Sequence, residues 1–105
     1  MKILGSPLKI SCNRMIYFPR LYLEQFGIDT HRAFVIRESH EDYLIYRPYT
    51  ERPLKDNEEK LFMRACCSYI PTDFLIRNQL TTGKDCLYLI GIGDGLMISV
   101  NEQVL

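Results

Sequence analysis

Cys12, Cys66, Cys67 and Cys86, with His31 and His40, are the side chains of this chain whose types suit nucleophilic, redox or metal chemistry. Their spacing points away from all three. No C-x-x-C pair occurs, and the neighbours Cys66 and Cys67 make a disulfide framework awkward. The histidines lie nine residues apart in turn-like sequence, with no ligand spacing around them. The cysteines sit among apolar or strand-forming residues and read as buried free thiols of a reducing compartment. Gly91-x-Gly93-x-Gly95 has the letters of a phosphate loop, but a strand-like run, Leu96–Val100, follows where a phosphate would need a helix N-terminus. A hairpin turn is the expectation there. The acidic run Asp56-Asn57-Glu58-Glu59 lacks the alternating oxygen ligands and the glycine of a calcium loop, and reads as a solubilising linker. No catalytic residue, metal or cofactor is expected, and no enzymatic activity.

Arg14, with Lys9 and Arg20 nearby, is the remaining candidate. These side chains form a basic strip suited to pairing with phosphates. Thirteen Lys and Arg balance thirteen Asp and Glu, so the global positive field of a typical nucleic-acid binder is absent. Any such binding must rest on a local patch. Tyr17, Tyr22, Tyr69 and Phe74 have the types of stacking residues, but their matched spacing favours core packing.

These candidates belong to a chain that repeats itself. Tyr17–Tyr46 lies over Tyr69–Ile98 without a gap, fifty-two residues apart, with six identities in thirty positions. Pro19 matches Pro71, Leu23 matches Leu75, and the near-matches keep the apolar pattern. The first copy, residues 8–46, predicts strands Leu8–Cys12 and Met15–Phe18 around a tight Asn13-Arg14 turn, where Asn tolerates positive φ. Pro19 then opens a short helix, Arg20–Phe26, and Gly27 ends it. Ala33–Arg37 and Tyr43–Tyr46 follow as a hairpin. The second copy, 60–100, predicts strands Leu61–Cys66 and Ser68–Ile70, a helix Thr72–Gln79 after Pro71, and strands Cys86–Ile92 and Leu96–Val100. Residues 47–59 read as a surface linker, pinned to the body by Leu54. With 105 residues and 47% hydrophobic content there is material for one core, shared by both copies as a single domain, 1–105. No run of eighteen apolar residues and no charged-then-apolar leader occurs, so a soluble, cytoplasmic protein without membrane partners is expected.

Asn13-Arg14-Met15-Ile16-Tyr17-Phe18-Pro19 and Phe26-Gly27-Ile28 resemble the turn, apolar-strand, proline and Leu-Gly-Ile motifs of the AbrB-like swapped-hairpin family. Ser68-Tyr69-Ile70-Pro71 and Leu80-Thr81-Thr82-Gly83-Lys84-Asp85 are similar to the later part of that pattern. Two copies in one chain resemble the MraZ-like, double-repeat form. The resemblance implies a mostly β fold with short helices: two β-β-α-β-β repeats packed as an intramolecular pseudo-dimer, a swapped-hairpin barrel. It also implies a DNA-binding transcriptional regulator that contacts double-stranded DNA through Arg14, Lys9 and Arg20, with assembly of several chains. The second copy carries Ala65-Cys66 where the first has Asn13-Arg14, so the turn arginine is not duplicated. A protein-interaction module on the same fold, an antirepressor or inhibitor of a DNA-binding protein, is the alternative.

Overall fold

A computed structural model describes residues 6–101. The chain runs β1 (Ser6–Lys9), β2 (Met15–Tyr17), α1 (Arg20–Gln25), β3 (Arg32–Ser39) and β4 (Tyr43–Pro48), then β5 (Glu58–Arg64), β6 (Cys67–Tyr69), α2 (Thr72–Arg77), β7 (Cys86–Ile92) and β8 (Gly95–Ser99). All strands join one eight-stranded antiparallel sheet in the order β1-β7-β8-β4-β3-β5-β6-β2. It curls into a nearly closed barrel, with β1 and β2 approaching each other across the seam. Residues 1–5 and 102–105 of the expected 1–105 domain lie outside the described residues.

Exchanging each strand of the first half for its counterpart in the second (β1 for β5, β2 for β6, β3 for β7, β4 for β8) returns the same order around the barrel. Local geometry matches at the ends of the two helices. Pro19 and Pro71 precede the helices with φ −58° each and ψ 134° and 137°, the angle the proline ring imposes. Gly27 and Gln79 end the helices in the left-handed region at φ 73° and 55°. There the Ile28 and Leu80 N–H groups donate to the Leu23 and Leu75 carbonyls at 2.9 Å each, which satisfies carbonyls that a helix end leaves open.

Strand alternation decides what is inside. Val35, Leu44, Tyr46, Leu87, Leu89, Leu96 and Ile98 point inward from the strands, and Leu23, Phe74 and Leu75 close over them from the helices; all belong to one core. Gly95 is required by packing, because a Cβ there would stand 2.5 Å from the Tyr46 carbonyl oxygen. The Gly93-Asp94 pair before it is the hairpin turn expected from the glycine spacing.

Four expectations need correction. Tyr17 and Tyr69 are not core residues: both are more than half exposed, because Ile16, Phe18, Ser68 and Ile70 take the inward positions on either side of them. Phe74 is buried as expected, and Tyr22 packs at the core margin. Cys12 is exposed in the β1–β2 turn, and Cys66, Cys67 and Cys86 are only partly buried; all four are free. In that turn the positive φ falls on Arg14, at 63°, and not on Asn13. Finally, β4 runs on to Pro48 and β5 begins at Glu58, so the connection is narrower than 47–59, and Leu54 is exposed.

No helix among the described residues is long and apolar enough to cross a membrane.

Candidate nucleic-acid interface

Arg14 owes its place to a three-residue hairpin. The Arg14 N–H donates to the Ser11 carbonyl at 3.0 Å and the Ser11 N–H to the Met15 carbonyl at 2.9 Å. This is a type I turn whose last residue must be left-handed. The guanidinium projects across the β2–β6 ladder to donate to the Thr72 hydroxyl at the start of α2, and lies 6.0 Å from the centroid of the Tyr69 ring. In the second half the turn is one residue shorter. Ala65 and Cys66 both have positive φ, 56° and 63°, between Arg64 and Cys67. The tighter turn keeps a left-handed residue at Cys66, the position matching Arg14, and loses the cation.

Lys9 and Arg20 do not gather around Arg14. The β2–β6 register pairs Met15 with Tyr69 and Tyr17 with Cys67, which sets Arg14 at one end of the ladder and Arg20 beyond the other. Arg20 is held by Glu24 at 3.3 Å, an exposed pair one helical turn apart and worth little. Lys9 is exposed on β1, opposite Cys86.

What does gather near Arg14 is a face that the sequence reading missed. On β3 and β5 the register sets Arg32 against Arg64, Phe34 against Phe62 and Ile36 against Lys60; all of these but the buried Ile36 are exposed. Phe34 and Phe62 are 49% and 46% exposed, with ring centroids 5.2 Å apart. Lys60 Nζ rests 4.4 Å from the Phe34 centroid and 4.3 Å from that of Tyr49. The Arg64 guanidinium lies 5.6 Å from Phe62. Phe62 and Tyr69 line the same cavity, so the aromatic band continues from β3 and β5 across to β6 and Arg14. Among the described residues, Arg14, Lys60 and Arg64 join no ion pair. The signal was in the alternation: Lys60-x-Phe62-x-Arg64 and Arg32-x-Phe34 put every second residue outward on a strand.

Elsewhere charges are spent on one another. Glu58, expected in an exposed acidic linker, is buried and takes both Arg52 terminal nitrogens at 2.9 and 2.8 Å and the Lys55 N–H at 2.9 Å. The Arg52 guanidinium, and next the Lys55 N–H, hold its carboxyl down at about 2. Glu38 is held below the usual carboxylate range by His40 first and Arg47 also, and Arg47 reaches Asp94 at 2.8 Å. His40 is therefore a partner of Glu38, stacked on Tyr43 with ring centroids 4.2 Å apart. No group of three or more His, Cys, Asp or Glu gathers in a metal-holding arrangement among the described residues. Burial, and then its neighbour Cys66, push the Cys67 thiol up, away from the thiolate that redox or nucleophilic chemistry needs.

Compared with known proteins, the chain matches no family model, no curated protein and no solved structure.

Proposed function

We propose that this protein is a DNA-binding transcriptional regulator of the AbrB/MraZ type, working without a catalytic step. In this reading its halves are two copies of one β-β-α-β-β unit paired within one chain as a swapped-hairpin barrel. The order of strands around the barrel, conserved on exchanging the halves, and the matched helix ends support the duplication. The observation that carries DNA binding is a group of cations, Arg14, Arg32, Lys60 and Arg64, that join no ion pair among the described residues, on one outward face of a chain with zero net charge. Phosphates supply the missing counter-charge, and Lys9 and Arg20 add contacts at the margins. The exposed rings beside the cations give sugars and bases an apolar surface.

A protein-interaction module is the second reading, favoured by the exposure of Phe34, Phe62, Tyr17 and Tyr69. A mobility-shift assay at low salt with random and genomic duplexes separates the two. DNA binding predicts a shift that weakens steeply with salt. Arg14→Ala should weaken it by about 1 kcal/mol or more, and Lys9→Ala by less. No shift at any salt concentration, with a discrete protein co-purifying, decides for the interaction module.

A further inference from the structure

The gap between β5 and β6 holds a cavity of about 400 Å³, within the size range of small-molecule sites. It exists because these strands share only one bridging pair, Arg64 with Cys67, and then diverge. Arg37 reaches from β3 into the space between them. Its Nη1 donates to the Tyr69 carbonyl at 2.8 Å and its Nη2 pairs with Glu59. The walls are apolar, from Met15, Leu61, Phe62 and Tyr69, and the only charged residues lining the cavity are Arg37 and Arg64. No carboxylate lines it. The Arg37 side chain is 9% exposed, and its Nε–H is the one buried side-chain polar atom among the described residues that has no hydrogen-bond partner. A buried donor of a charged group is costly to leave unmatched.

We propose that this cavity binds a small amphipathic carboxylate, its apolar body between Phe62 and Tyr69 and its carboxylate toward Arg37 and Arg64. Charge complementarity favours the anion: Arg64 joins no ion pair among the described residues, Arg37 shares its charge with Glu59 alone, and no acid lines the space. Fifty-two residues along, the counterpart of Arg37 is Leu89, so this chemistry belongs to one half of the barrel only. The inference stands apart from DNA binding and is tested without DNA.

The test titrates the isotope-labelled full chain with 3-phenylpropionate and, as an uncharged mimic of a partner's side chain, N-acetylphenylalanine amide. The proposal expects 3-phenylpropionate to shift the amide signals of Leu61, Phe62 and Tyr69. It expects at least about tenfold weaker binding of the amide, the scale of one charge-assisted hydrogen bond. Arg37→Leu, checked for folding by its thermal transition, should abolish the preference for the carboxylate. Phe62→Ala, at an exposed position that leaves the core intact, should weaken both probes. Absence of shifts at these amides with both probes overturns the proposal. So does equal affinity for the two, which would leave a protein side chain as the occupant, or a carboxylate preference that survives Arg37→Leu. Should Arg37→Leu not fold, Arg64→Gln takes its place and must reduce the preference.

Discussion

Positions fifty-two residues apart carry opposite chemistry beneath the same strands. On one side of the barrel Arg37, Tyr46 and Ser68 form a buried polar chain: Tyr46 Oη lies 3.4 Å from Arg37 Nη1 and 2.9 Å from Ser68 Oγ. Their counterparts Leu89, Ile98 and Ile16 are fully buried and apolar. The outer faces differ in parallel. The cross-strand pair Phe34–Phe62 of β3 and β5 stands where β7 and β1 pair Cys86 with Lys9. A barrel needs only that inward positions fill space and that buried polar groups find partners. One half meets this with hydrocarbon alone, and the other spends a buried arginine to do it. The polar side also carries the cavity and the exposed cation–aromatic band, so the surfaces proposed to bind fall where the two halves differ most.

The largest expected effect comes from imposing the polar solution on the apolar half. Leu89→Arg would bury a charge among Ile16 and Ile98, which offer no acceptor, and should destabilise the fold by about 3–5 kcal/mol, measured by denaturant unfolding. A change of less than about 1 kcal/mol would mean that this side can rearrange to hold a cation. Smaller is Tyr46→Phe, which removes the hydroxyl shared by Arg37 and Ser68 while Arg37 keeps the Tyr69 carbonyl. The cost should be about 1 kcal/mol. Ile98→Val, trimming the counterpart position, sets the scale for hydrocarbon packing alone.

The smallest effect is confined to acid. The Glu58 carboxyl lies at about 2 in the fold against an ordinary 4.5. A depressed folded value means that the carboxylate's contribution is complete above about pH 4.5 and is lost as pH falls toward 2. Glu38 shifts in the same direction. The melting temperature of Glu58→Gln should therefore fall less between pH 5 and pH 2 than that of the parent chain, at equal ionic strength. Parallel curves for the two would remove Glu58 from the account of acid sensitivity.

Much of the fold was legible because its strongest signals are local. Pro19 and Pro71 fix φ at the helix starts, Gly27 permits the left-handed stop, and Cys86–Ile92 is one unbroken apolar strand. The site was less legible, for a reason that Tyr17 and Tyr69 make plain. Matched spacing between two segments suggests only that their positions correspond, and correspondence is silent about inside and outside. The flanking residues, Ile16 and Phe18 or Ser68 and Ile70, decide that by alternation. Arg14 was visible as the cation of a tight turn, whereas Lys60 and Arg64 were hidden inside an apolar-looking strand. Glu58 lay in a run of acidic residues whose composition resembles a solvated linker, and only the return of Arg52 onto β5 reveals its burial.

Backbone amide shifts on titrating the labelled chain with a short DNA duplex test the central claim most directly, because both sides of the barrel report at once. Binding through the polar side predicts shifts concentrated at Arg14, Phe34, Phe62, Arg64 and Tyr69, weaker ones near Lys9 and Arg20, and none at Tyr88 and Ile90 of β7 on the counterpart side. Equal shifts on both faces, or shifts confined to the β7–β1 side, would contradict the assignment of function to the half where the symmetry breaks.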